Sequence, residues 1–182
     1  MKSLVQRQAV RLRNIGRASI VLAVLVVMVG CGYRVKGMGL TAPPGVHTIA
    51  VTVLENRTSE SGIETRFTSD LAYEFTRSKI LQVVDRETAD AVLSGVIVSL
   101  QEDTISHTAS YGSDERRVTV TLNLALKGTD GKVIWSRRRL SDREAFKVAS
   151  DKLATERNKN AAIEVISERL AERVHNAILE GF

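Results

Sequence analysis

The chain has 182 residues, 43% of them hydrophobic, with 26 Lys+Arg against 21 Asp+Glu and a single cysteine. That composition excludes a disordered chain and an internally disulfide-bonded scaffold, and the length fits one domain with an appendage. The formal charge of +5 is local: residues 1–30 hold five bases (Lys2, Arg7, Arg11, Arg13, Arg17) and no acid, so the remainder carries 21 of each. A general polyanion-binding surface therefore loses its main support.

The basic start is followed by an apolar run from Ala18 to Gly30, which reads as a secretory signal. The charge-free stretch from Ala18 to Tyr33 would span about 24 Å as a helix, short of a hydrocarbon core of about 30 Å. Met28–Val29–Gly30–Cys31 resembles the bacterial lipobox. That resemblance implies cleavage before Cys31 and lipidation of its thiol. The plainer reading of Cys31 is a small apolar residue ending a hydrophobic segment, but its place after a signal favours the anchor. Gly32, where an Asp often marks inner-membrane retention, implies the outer membrane. The expected organisation is a signal over 1–30, a lipidated tether over 31–46 rich in Gly and Pro, and one domain over 47–182.

Along the domain, Ile49, Val51 and Val53 alternate in a strand, and Glu55 to Glu60 reads as a polar loop. Ser61–Gly62–Ile63–Glu64 fits a capping box, and Ile63, Phe67, Leu71 and Phe75 form one helical stripe to about Ser78. Ile80 to Val84 is a short strand. Ala91 to Leu100 is another, with Val92, Val96 and Val98 on one face, and Ser106 to Asp114 is a polar loop. Val118, Val120, Leu122, Leu124 and Leu126 alternate without a break in the strongest strand. Gly128–Thr129–Asp130–Gly131 supplies a hairpin turn, and the returning strand runs from Lys132 to about Leu140. A final helix from near Leu153 to Leu179 carries Ile163, Ile166, Leu170, Val174 and Ile178 on one face. The order β-α-β-β-β-β-α predicts an α+β fold: a mostly antiparallel or mixed sheet of four to five strands, with two helices packed on one face.

Catalytic and cofactor signatures are sparse. His47, His107 and His175 are scattered without metal-ligand spacing, and no nucleophile elbow or P-loop occurs. The expectation is a protein that is not an enzyme and has no cofactor or metal. Basic residues are the remaining binding candidates. Arg116 and Arg117 open the long strand, Lys127 and Lys132 flank the turn, and Arg137–Arg138–Arg139 ends the returning strand. Pairing through the turn would set Lys127 opposite Lys132, a repulsion that an anion such as a phosphate would relieve. The alternative is a set of solubilising charges that protect a sheet edge.

Taken in order, Cys31–Gly32–Tyr33–Arg34–Val35, Pro43 to Val51, Ala89 to Gly95, Val118 to Leu126, Gly131 to Trp135 and Leu170 to Val174 resemble the LPS-assembly lipoprotein family LptE. The resemblance implies a non-enzymatic, periplasm-facing outer-membrane lipoprotein. Such a protein assists assembly of an LptD β-barrel, plugs it one-to-one, and takes part in lipopolysaccharide transport and insertion. Direct lipopolysaccharide contact by Lys127, Lys132, Arg116 and Arg117 is an expectation from local charge alone. A second resemblance, of Ile49–Ala50–Val51 with Glu55–Asn56–Arg57–Thr58, is to regulatory or secretion-channel lipoproteins of the CsgG and LpoB type. Those engage secreted subunits or a peptidoglycan synthase, or form rings. A glycan hydrolase is a third class, with no site to support it.

Overall fold

The computed structural model describes residues 40–106 and 115–180. The signal, Cys31 with most of the tether, and nearly all of the 106–114 loop lie outside the described residues. Eight elements follow one another. They are β1 (Thr48–Val51), β2 (Glu55–Asn56), α1 (Ile63–Ser78), β3 (Gln82–Val83), β4 (Ala91–Ser106), β5 (Glu115–Gly128), β6 (Val133–Lys147) and α2 (Lys152–Leu179). The strands form one mixed sheet in the order β3-β1-β4-β5-β6, with β2 beside β4. β1 runs parallel to β3 and β4, whereas β4, β5 and β6 form an antiparallel meander. The fold is α+β and a single domain.

Four to five strands were expected and six are present. β2 lies in the segment read as a polar loop, where Glu55 and Asn56 run parallel to Val96 and Ile97. Two residues are too few to show alternation, so only the neighbouring strand reveals them.

One core holds the sheet and both helices together. Ile63, Phe67, Leu71 and Phe75 of α1 and Ile163, Ile166, Leu170, Val174 and Ile178 of α2 are buried with Val118, Val120, Leu122, Leu124 and Leu126 of β5. From β4 the core takes Ala91, Leu93 and Ile97, not the Val92–Val96–Val98 face. Both faces of β4 are apolar, so its own alternation cannot decide. Its register with β5 decides, setting Leu93 beside Leu126 and Ile97 beside Leu122. Gly95 belongs to the same inner face. A Cβ there would lie 2.4 Å from both Leu124 Cδ2 and the Asn123 carbonyl oxygen, so its bare backbone makes room for Leu124.

The helix starts differ from each other. Gly62, at φ 86°, is the cap residue of α1, and no side chain caps that helix. The expected capping box is half made: Glu64 reaches back to the Gly62 N–H at 3.1 Å, while Ser61 lies one residue too early to cap. Asn56 Nδ2 also donates to Glu64 at 2.8 Å, tying β2 to α1. At α2, Asp151 accepts from the Leu153 and Ala154 amides at 3.1 and 3.0 Å.

The returning strand β6 runs to Lys147, well past Leu140. Its core-facing positions there are Asp142 and Glu144, opposite Val120 and Val118, and then the buried Phe146. Arg173 Nη2 meets Asp142 at 3.1 Å and Arg169 bridges Asp142 and Glu144, so α2 covers this stretch with charge. Apolar alternation is interrupted at Asp142 and Glu144, where ion pairs take over, before Phe146 resumes it, and that gap hid the strand's second half. Of four register shifts in the meander, two lie at one level. One is at Val98 in β4, and one is at Arg138–Arg139 in β6 opposite Asn123.

Candidate functional site

Both helices cover one face of the sheet, leaving the other face of the β4–β5–β6 meander open to solvent. Its far edge is the β5–β6 turn. There the Gly131 N–H donates to the Gly128 carbonyl at 2.9 Å, and Gly128 N–H donates to Lys132 O at 2.9 Å. Asp130 Oδ1 accepts from the Lys132 amide at 2.9 Å, and Gly131 takes φ 78°. This is a three-residue loop closed by a left-handed glycine.

That loop corrects the expected pairing of lysines. Lys127 lies opposite Val133, not Lys132, because the loop holds three residues rather than two. The two ammonium groups share the exposed tip without facing each other across the ladder. Lys127 instead borders a concavity of about 420 Å³ with Arg86, Thr52, Ser94 and Thr129. Arg86 comes from the polar connection between β3 and β4, where no sequence pattern singles it out. The nearby chain is pinned by Asp90, whose carboxylate accepts from the His47 and Thr48 amides, each at 2.9 Å. Those amides, with the Thr48 hydroxyl, hold the Asp90 carboxyl below its usual range.

Arg116 and Arg117 are not part of this cluster. Eleven residues along β5 separate Arg116 from Lys127, about 36 Å at ~3.3 Å per residue. Arg116 lies on the helix-covered side, 3.9 Å from Glu102. Arg117 lies on the open face, opposite Asp103 and Ala145. Arg137–Arg138–Arg139 does not end β6; the three sit mid-strand, with Arg138 and Arg139 in the bulge. The run was visible in the sequence, but its bulge was not.

The cations therefore sort by face. Arg117, Lys127 and Arg143 occupy open-face positions beside the Arg138–Arg139 bulge, with Asp103 and Glu115 as the acids on that side of the ladder. Asp142 and Glu144 turn toward α2. Among the described residues, no carboxylate lies within 4 Å of the charged groups of Lys127, Lys132, Arg138, Arg139 or Arg143. A domain with 19 bases and 21 acids over residues 47–182 thus still presents unpaired cations on a polar surface, an arrangement that attracts oxyanions.

The description of the matching family model is LptE, lipopolysaccharide-assembly, and it covers residues 46–178. No curated protein matches the chain. Among solved structures, a minor lipoprotein from Acinetobacter baumannii is similar at 14% identity and a TM-score of 0.51, covering 75% of this chain and 93% of that one. An uncharacterized lipoprotein B from Nitrosomonas europaea is similar at 14% identity and a TM-score of 0.53, covering 81% and 90%. At that identity the likeness extends to the fold alone. The family model runs from just before β1 to the last turn of α2, and on that span the chain belongs to the LptE lipopolysaccharide-assembly family.

Proposed function

We propose that this chain is a non-enzymatic lipoprotein of the outer membrane that assists assembly of an LptD-like β-barrel, plugs it one-to-one, and takes part in lipopolysaccharide transport to the outer leaflet. The family match over the whole sheet and both helices carries the reading. The polar, cation-bearing open face supports it, because the lumen of a large barrel is polar. Among the described residues no helix is long and apolar enough to cross a membrane. In this reading the signal over 1–30 is removed and Cys31 carries the lipid, with 31–46 as tether. Lipid chains at about 0.8 kcal/mol per buried methylene hold the domain at the membrane surface. Lys127 and Lys132 meet lipopolysaccharide phosphates at one end of β5, and Arg116 and Arg117 do so at the other.

The test is a tagged pull-down of the full chain from detergent-solubilised outer membrane, with co-purifying proteins identified by mass. A large β-barrel at about one-to-one is expected. A homo-oligomer, or a peptidoglycan synthase with no barrel, overturns the reading in favour of the CsgG and LpoB type.

A further inference from the structure

The two long outer edges of the sheet differ. Along β6 the edge is closed. Arg173 Nη1 donates to the Ser141 carbonyl at 3.4 Å, and Asn158 Nδ2 donates to the Lys147 carbonyl at 2.8 Å. Before them, Arg137–Arg138–Arg139 breaks the edge with charge and with the bulge at Arg139, whose φ is 55°. β4 is covered only in its first half, by β1 over Ala91–Leu93 and by β2 over Val96–Ile97. From Ser99 to Thr104 it pairs with β5 alone among the described residues. That run holds no lysine, arginine or proline, and its register is unbroken between the shifts at Val98 and Ile105.

Val98 decides which backbone groups face outward. Upstream of it, the Thr52 N–H donates to the Leu93 carbonyl and the Arg57 N–H to the Ile97 carbonyl, each at 3.0 Å. Odd-numbered residues of β4 therefore turn away from β5 there. The extra residue at Val98 reverses the count. Ser99 then bonds β5, while Leu100, Glu102 and Thr104 direct their N–H and C=O away from it. The far strand agrees: Ser141 gives its carbonyl to Arg173, so its neighbour Thr121 turns toward β4 and meets Ser99. Among the described residues, no hydrogen bond reaches the backbone of Leu100, Glu102 or Thr104 from outside the ladder. At ~3.4 Å per residue this free edge is about 20 Å long, an ordinary strand length.

The neighbouring side chains define what fits. On the helix side, Leu100 packs against the core, and Glu102 is engaged by Lys159 at 3.6 Å and Arg116 at 3.9 Å. On the open face Asp103 is exposed, with no cation within 4 Å among the described residues. A strand laid along this edge gains by placing an apolar residue beside Leu100 and a base beside Asp103. A second copy of β4 would instead bring its own Glu102 and Asp103 to the same edge, which disfavours self-pairing.

We propose that Ser99–Thr104 is an acceptor edge to which an extended segment of a partner protein adds as a further strand, apolar on the helix side and basic on the open face. Main-chain hydrogen bonds at Leu100, Glu102 and Thr104 supply the attachment, and Asp103 selects the base. The proposal does not rest on the barrel reading. A missing barrel in the pull-down leaves it standing, and its own failure leaves the barrel reading standing.

The full-length chain in neutral detergent, labelled with ¹⁵N, would be titrated with a capped hexapeptide of alternating valine and lysine. The same peptide N-methylated at every residue and a valine–glutamate counterpart serve as controls. Saturable shifts and slowed hydrogen exchange are expected at the Leu100, Glu102 and Thr104 amides, with the glutamate peptide about fivefold weaker. The intervening amides already bond β5 and should change little in exchange. Thr104→Pro removes one outward N–H at an edge position that tolerates proline, and should weaken the lysine peptide about fivefold with Tm nearly unchanged. Asp103→Lys should reverse the preference between the two peptides. Absent shifts at millimolar peptide, an equal response to the N-methylated peptide, or unchanged binding in both variants would each overturn the proposal. A concentration-dependent dimer that protects the same amides without peptide would overturn it in favour of a second copy.

Discussion

At the scale of single residues, Lys159 shows how much one buried side chain can join. Its ammonium lies 2.8 Å from Glu156 on its own helix, 3.0 Å from Glu60 in the loop before α1, and 3.6 Å from Glu102 on β4. Burial alone would lower its pKa. The hydrogen bonds to Glu156 and Glu60 outweigh that and hold it above the usual lysine range. The same bond lowers the Glu156 carboxyl. The raised lysine contributes stability that is complete below its unfolded pKa, about 10.4, and lost as pH climbs through the folded value. The depressed glutamate contributes above about 4.3, and that part is lost as pH falls through its folded value. Lys159→Met should therefore cost about 1–3 kcal/mol at pH 7 and less at acid pH, as the Glu156 carboxylate takes up its proton. Urea denaturation at the two pH values checks it. An equal loss at both would assign Lys159 a packing role only. None of this was legible beforehand: Glu60 is 99 residues away from Lys159 in the chain.

At the scale of elements, legibility followed apolar periodicity. The α1 stripe and the β5 alternation were readable because each writes one face in large apolar residues. Phe67 is 1% exposed at the centre of that stripe, and Phe67→Ala should cost about 3–5 kcal/mol, read from denaturant midpoints. A negligible loss would mean that α1 packs by another face. β4 was ambiguous, having valines on one side and Ala91, Leu93 and Ile97 on the other. Gly95 makes its true face testable: Gly95→Ala should cost about 1–3 kcal/mol by pressing on Leu124 and the Asn123 carbonyl. An unperturbed Tm would show that the ladder has slack there. The end of β6 was hidden for a different reason, since α2 meets Asp142 and Glu144 through Arg169 and Arg173, which leaves Phe146 as the one large apolar core residue there. The hairpin register was missed by one residue because the turn motif fixes the presence of a turn more firmly than its loop length.

At the scale of the whole molecule, a domain with 19 bases and 21 acids gathers unpaired cations on the open face and tip of its sheet. Lys127→Glu with Lys132→Glu should weaken lipopolysaccharide binding about tenfold while leaving Tm nearly unchanged, because both side chains are exposed at the tip. Binding measured on the purified full chain checks this, and unchanged affinity would remove the tip from the proposed function.

The sequence by itself determined the element order apart from β2, the α+β class, the apolar stripes of α1 and β5, and the family resemblance. These rest on local periodicity and on motif order, both of which exist before the chain folds. Only the tertiary structure decided which face of β4 is buried, where β6 ends, that Lys127 faces Val133, and that two bulges meet around Asn123. Those features depend on strand register, which is settled by contacts between residues distant in the chain. A shift of one residue in register exchanges every side chain between core and solvent.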